Sequence, residues 1–216
     1  VPLTLLSFNS ETEIGIVEMG ANHKKEIEFL CELAKPDYGY ITNFGKAHLE
    51  GFGGVEGVIE GKSEMYLYLS QNNKQAFINL EDPIQVEKSK ALQFYSFGIN
   101  KAEANVNISA VSANPFVVIT YSDIKISTHL IGLYNANNIN AALTIGKYFH
   151  VADTAIKQAL ESYIPENNRS QLLTKGTNQI ILDAYNANPS SMAVAIDNFV
   201  QLENPNKIMI LGDMFE

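Results

Sequence analysis

Apolar positions in the first third of the chain switch between two periods. Ile14–Met19 (IGIVEM) is a short apolar run that predicts a strand, and His23–Ala34 then repeats apolar residues at helical spacing. DYGYITN predicts a second strand, Val55–Leu69 a helix carrying Val55, Ile59, Tyr66 and Leu69, and Gln75–Asn79 a third strand. Strands alternating with helices point to parallel βαβ units. The pattern changes between Leu92 and Leu130, where Val, Ile, Thr, Tyr and Phe dominate. Turn signals stand there at Gly98-Ile99-Asn100, Ala113-Asn114-Pro115 and Ser122-Asp123. AEANVNISAVSA, FVVITYS and IKISTHLIG therefore predict antiparallel strands, a small meander beside the main sheet. Helical spacing returns over Asn135–Phe149 and Ala152–Tyr163. After the polar loop PENNRS, SQLLTKGTNQIILDAY predicts a hairpin, Ser190–Leu202 a helix and KIMILGD a buried strand. The expected class is α/β: a mostly parallel sheet with a small antiparallel meander in a domain over 1–164, and the start of a second α/β domain over 165–216.

Composition narrows the function more than the fold. A hydrophobic content of 46% in 216 residues supports a real core. No run approaches the roughly 18 apolar residues of a membrane span, and no charged-then-apolar leader is present. The single cysteine, Cys31, lies in an amphipathic stretch, so a core thiol and a reducing, cytoplasmic setting are expected. The formal charge of −9 argues against a nucleic-acid binder, which needs a basic face. It leaves room for a nucleotide held by backbone amides and Mg²⁺. The sequence starts at Val1 and stops just after an apolar run, so the expectation is a piece of a longer protein, with monomer as the default state.

Chemistry concentrates in Ile41–Glu64, ITNFGKAHLEGFGGVEGVIEGKSE. His48 sits there in a glycine-rich loop after a strand, and Lys62 one helix further on. Upstream, Glu18 ends the Ile14–Met19 run and is followed by Gly20-Ala21-Asn22-His23. A carboxylate and a histidine past neighbouring strand ends mark the usual ligand site of an open α/β sheet. Gly57–Ser63 imitates a phosphate-binding loop but is one residue short of GxxxxGK[ST], and it falls inside a helical pattern, so that reading is rejected. Glu18 and His48 can ligate Mg²⁺, although this ion prefers oxygen. An ammonium at Lys62 would repel the ion, whereas a carboxylated lysine would be an anionic oxygen ligand. Alternatively, each of the three is an ordinary loop, edge or surface residue. Asn135 and Asn138, three apart at a helix start, either read a purine edge or include a plain N-cap. Arg169 is an anion-binding fork or a surface arginine. Asp183, at the end of QIILD, holds ribose hydroxyls or enters a helix turn through Asn186 and Asn188-Pro189.

VEMGANH, ITNFGKAHLEGFGGVEGVIEGKSE, LDAYNANPSSM and LGDMFE, in this order, resemble segments of the Mur ligases of peptidoglycan synthesis. The likeness spans nearly the whole chain. It implies part of that family's central ATP-binding domain over 1–164 and the start of its Rossmann-like C-terminal domain over 165–216. It further implies Glu18 and His48 as Mg²⁺ ligands, carboxylated Lys62 completing the metal site, and Asn135 and Asn138 on the adenine side. Arg169 would reach the phosphates and Asp183 the nucleotide. Tyr134 departs from the pattern, standing where the family's HNxxN motif has histidine. The family's GxxGKT loop and its UDP-sugar domain lie upstream of the matched segments, so this polypeptide alone is expected to be inactive. The wording points to the member that joins D-Ala-D-Ala to UDP-MurNAc-tripeptide using ATP. Competing expectations are a folylpolyglutamate synthase-like ligase, a metal-dependent hydrolase using Glu18, His23 and His48 with Asp183 as a fourth group, and a non-catalytic scaffold.

Overall fold

In the computed structural model, residues 1–45, 48–166 and 168–214 are described. Lys46 and Ala47 of the glycine-rich segment, Asn167 of the PENNRS loop, and the Phe215-Glu216 end of LGDMFE lie outside them. The chain forms two compact units: Val1–Ile78 with Asp82–Tyr95, and Asn79–Glu81 with Ser96 onward.

The first unit contains α1 (Pro2–Leu6), α2 (Glu26–Ala34), β1 (Tyr38–Tyr40), α3 (Leu49–Phe52), α4 (Val55–Gln71), β2 (Gln75–Asn79, its last residue counted with the second unit) and α5 (Pro83–Lys88). β1 and β2 run parallel with Gly39 opposite Ala76. The connection between them passes through α4, as a parallel crossover requires. A Cβ on Gly39 would lie 2.8 Å from Leu69 Cδ1 and Met65 Sδ, so α4 rests directly on β1. Ile27, Cys31, Phe44, Phe52, Val58, Leu69, Phe77 and Ile78 form the buried interior. Glu64 of α4 fixes α2 by accepting from the backbone amides of Lys25 (2.6 Å) and Glu28 (3.0 Å), donors a helix start leaves unpaired.

The second unit holds most of β3 (Gln93–Ile99), which runs parallel to β4 (Val106–Ala113). β5 (Phe116–Tyr121) and β6 (Ile124–Ile131) complete the antiparallel meander. A 3-10 turn at Leu133–Asn135 leads into α6 (Ala136–Tyr148), followed by α7 (Asp153–Ser162), the hairpin β7 (Gln171–Lys175) and β8 (Asn178–Leu182), and α8 (Pro189–Gln201). Buried Val106, Ile108, Val117, Ile119, Ile126 and Ile131 alternate inward along the meander, against Ile139 and Leu143 of α6. The architecture is mixed α/β, as the periodicity predicts.

Two expected strands are absent. Ile14–Met19 and Lys207–Asp213 carry no strand pairing among the described residues. Ile16 is 84% exposed and Ile210 91%. Apolar, β-branched composition favours a strand only where a neighbour supplies the ladder, and among the described residues neither run has one, although Met19 packs on Cys31.

Candidate active site

The three candidates of the first unit are carried by segments that meet at α3. A Cβ on Gly51 of α3 would lie 2.2 Å from the Asn22 carbonyl oxygen, which places the loop after Glu18 against that helix. The loop is itself tied down by Glu26, whose Oε2 accepts from the amides of Asn22 (2.6 Å) and His23 (3.0 Å). On its other side α3 packs on α4. A Cβ on Gly57 would fall 1.8 Å from the Phe52 carbonyl oxygen, and one on Gly61 2.5 Å from the Phe52 ring. Gly51, Gly57 and Gly61 therefore serve close packing, whereas Gly53 and Gly54 take positive φ between α3 and α4, and the structure agrees that Gly57–Ser63 is helix, not a phosphate loop.

His48 takes a left-handed backbone (φ 56°) immediately before α3 and is exposed, as is Glu18. Lys62 is half-buried on α4 next to Gly61. Its Nζ donates to the Asn43 carbonyl (2.8 Å) in the loop leading from β1 toward His48, and burial lowers its pKa. Asn43 folds that loop by accepting from Gly45 N at 2.9 Å. Among the described residues no three His, Cys, Asp or Glu side chains are grouped to hold a metal, so the hydrolase trio of Glu18, His23 and His48 is not assembled. His23 Nδ1 instead faces Glu26 at 3.6 Å. The donor set of carboxylate, imidazole and lysine fits a divalent cation only with Lys62 carboxylated.

In the second unit Asn135 does not cap α6 through its side chain. It is buried, and Nδ2 donates to the Ile131 carbonyl (2.8 Å) while Oδ1 accepts from Asn138 Nδ2 (3.1 Å). The two carboxamides are thus paired, with Asn138 at the surface. Arg169 and Asp183 both lie at the open end of the β7–β8 hairpin, where Gln171 is paired with Leu182. Ala184 N donates to the Asn168 carbonyl at 2.8 Å, so the residues beside Arg169 and Asp183 are joined by backbone. The Arg169 guanidinium stacks 4.0 Å over the Tyr185 ring, a preorganised planar cation. The helix-entry turn forms where it is expected, at Asn188-Pro189: Asn188 accepts from Ser191 N (2.9 Å) in a capping box that starts α8.

A profile of the Mur ligase middle domain matches residues 1–146. The chain belongs to the Mur ligase family. It is 33% identical over 218 residues to the UDP-N-acetylmuramoyl-tripeptide–D-alanyl-D-alanine ligase of Bacillus subtilis, covering 100% of this chain and 48% of that protein. Among solved structures, MurF from Acinetobacter baumannii superposes with a TM-score of 0.81 at 27% identity, over 94% of this chain and 46% of that one. MurF from Thermotoga maritima, solved in complex with ADP, gives 0.76 at 25% identity, covering 93% and 47%. The chain spans about half the length of the Mur ligases it matches.

Sequence reasoning missed two features of this Mur ligase segment. One is the role of Gly51, Gly57 and Gly61 in bringing the candidate segments together, legible only as a dense glycine spacing. The other is Ser170, buried beside Arg169, whose Oγ lies 3.3 Å from Asp183 Oδ2 and is also bonded to the Tyr134 hydroxyl. A single serine in a polar loop carries no signal of such a contact.

Proposed function

We propose that the full-length protein carrying this sequence is an ATP-dependent amide ligase. It joins D-Ala-D-Ala to UDP-MurNAc-tripeptide in cytoplasmic peptidoglycan precursor synthesis, acting as a monomer. The observation that supports this reading best is the convergence on α3 of the Glu18–Asn22 segment, the His48 loop and the Lys62 helix, in a chain of this family. Residues 1–164 would belong to the central ATP-binding domain and 165–216 to the beginning of the C-terminal domain. No helix among the described residues is long and apolar enough to cross a membrane.

Glu18, His48 and carboxylated Lys62 would hold Mg²⁺, which when bound neutralises negative charge developing on the transferred phosphoryl group. Burial favours the neutral amine of Lys62. That amine attacks CO₂, an N–C bond forms as one C–O π bond opens, one proton leaves the nitrogen for water, and a carbamate results with a single negative charge shared by its two oxygens. Asn135 and Asn138 would seat the adenine, Asp183 the ribose and Arg169 the phosphates. With the nucleotide so placed, the tripeptide carboxylate takes the γ-phosphoryl group of ATP and ADP leaves. The D-Ala-D-Ala amine then attacks the acyl phosphate, and the tetrahedral adduct collapses to amide and inorganic phosphate. Arg169 and Asp183 bind and orient here rather than transfer protons.

The test is phosphate release by the full-length chain with ATP, Mg²⁺, UDP-MurNAc-tripeptide and D-Ala-D-Ala omitted in turn. Release that needs all four supports the ligase; the 216-residue polypeptide alone is expected to show none. Release without D-Ala-D-Ala, or with folate and glutamate instead, would overturn the substrate assignment.

A further inference from the structure

Tyr134, Ser170 and Asp183 form a directional chain of hydrogen bonds that the roles above leave unused. The Ser170 hydroxyl has one proton and Asp183, as a carboxylate, can only accept. Ser170 therefore donates to Asp183 Oδ2 (3.3 Å), and the Tyr134 hydroxyl must donate to Ser170 Oγ. Burial, more than any neighbour, raises the Tyr134 pKa, which keeps this donor protonated across the neutral range. The Tyr134 ring is seated on Gly132, where a Cβ would lie 2.4 Å from Cε1 and φ is +85°. Ser170 is 4% exposed with a left-handed backbone at φ 49°, whereas Asp183 is exposed. One oxygen of the carboxylate is thus engaged from inside the protein, and its outer side faces solvent.

We propose that Tyr134 and Ser170 are positioning residues that hold the Asp183 carboxylate, and with it the adjoining Arg169 loop, in the orientation that receives the nucleotide's ribose hydroxyls. This rests on the reading of Asp183 as a nucleotide contact. Tyr134 directly precedes Asn135, and Ser170 directly follows Arg169. The relay therefore fastens the hairpin end that would take ribose and phosphates to the helix start that would take adenine, within one unit. Immobilising a ligand-binding carboxylate before binding removes part of the ordering cost that the ligand would otherwise meet. It also gives the phenol at position 134 a job that suits its length and its hydroxyl.

The experiment is steady-state kinetics of the full-length ligase with Tyr134→Phe, Ser170→Ala, Ser170→Thr, the double Tyr134→Phe/Ser170→Ala variant, and Asp183→Asn. Tyr134→Phe and Ser170→Ala should each raise the KM for ATP about tenfold, close to 1.4 kcal/mol, with kcat and the KM for D-Ala-D-Ala changed less than twofold. The double variant should be no worse than either single one, because each breaks the same chain. Ser170→Thr, which keeps the hydroxyl, should restore most of the wild-type KM. If Asp183→Asn raises the KM for ATP while Tyr134→Phe and Ser170→Ala do not, the relay is overturned and the nucleotide reading of Asp183 stands. If Asp183→Asn leaves the KM unchanged, both fall. Equal losses in the KM for ATP and for D-Ala-D-Ala, tracking a lower Tm, would reduce Tyr134 and Ser170 to structural roles and overturn the proposal.

Discussion

The two units hold their candidate residues by opposite means. In the first, backbone meets backbone: Gly51 lets the Asn22 carbonyl onto α3, Gly57 lets the Phe52 carbonyl onto α4, and the side chains of Glu18 and His48 stay exposed. In the second, side chains bind side chains, with Asn138 on Asn135 and Tyr134 on Ser170 on Asp183. The difference teaches where each site is fragile. A site assembled by glycine packing tolerates exchange of its exposed groups but not an added methyl in its scaffold. A site assembled by hydrogen bonds fails at its polar atoms.

Gly57→Ala is the sharpest way to break this contrast. The new methyl would sit 1.8 Å from a backbone oxygen that no rotamer change can move. Alanine favours a helix interior by about 1 kcal/mol over glycine, but Gly57 is buried, and overpacking against a fixed backbone oxygen costs about 3 kcal/mol or more and separates α3 from α4. The expected result is a loss of about 2 kcal/mol or more in urea unfolding. Gly61→Ala should cost less, since the Phe52 ring it meets can swing. Equal stability of Gly57→Ala and wild type would show that α3 is not held as described.

Asn135→Ala tests the other half. It removes a buried donor to the Ile131 carbonyl and the acceptor for Asn138. Leaving a buried carbonyl without its partner costs about 1–3 kcal/mol. Its stability loss should be smaller than that of Gly57→Ala, and Asn135→Asp should recover little of it, because a carboxylate cannot donate to Ile131. Full recovery by aspartate would mean that the Oδ1 contact to Asn138 is the one that matters.

Those two variants also mark what could be read from the sequence. Helices at 55–71, 136–148 and 153–162, the 75–79 strand, the meander and the hairpin follow from periodicity and turn residues, because each carries enough repeats to show its period. α3, four residues between His48 and Gly53, has no period to show, and α1 and α5, with five and six residues, are little longer. The runs at 14–19 and 207–213 have strand composition without strand pairing, which is a property of neighbours and not of the segment. Glu18, His48 and Lys62 were legible as residue types in an order. That their segments meet at α3 depends on contacts between residues far apart in sequence, such as Asn22 with Gly51 and Asn43 with Lys62, which only the folded chain displays. Ser170 was hidden for the same reason.

Alkaline titration gives the smallest effect and separates the units by their interiors. Burial pushes the Cys31 thiol from 9.0 up to about 11 and the Tyr40 phenol from 10.0 up to about 12. Both lie in the first unit. A raised acid keeps its proton in the folded state while the unfolded chain has already released it. The folded state therefore has its full advantage below pH 9 and loses it as pH rises through 9 toward 11 and 12. At pH 10 the cysteine's share is on the order of 1 kcal/mol, from one pH unit above its unfolded value. Tyr134 in the second unit is raised by burial from an ordinary phenol value of 10.0, so its contribution begins a unit later than that of the thiol. Hydrogen exchange at pH 8 and pH 10, corrected for intrinsic rates, should show the amides of α2 and α4 losing protection before those of β4–β6. Cys31→Ala should flatten the stability slope between pH 9 and 10 whatever it does to the absolute stability. An unchanged slope would mean that the thiol reaches solvent and that the interior of the first unit is looser than its packing against Met19 (3.9 Å between sulfurs) implies.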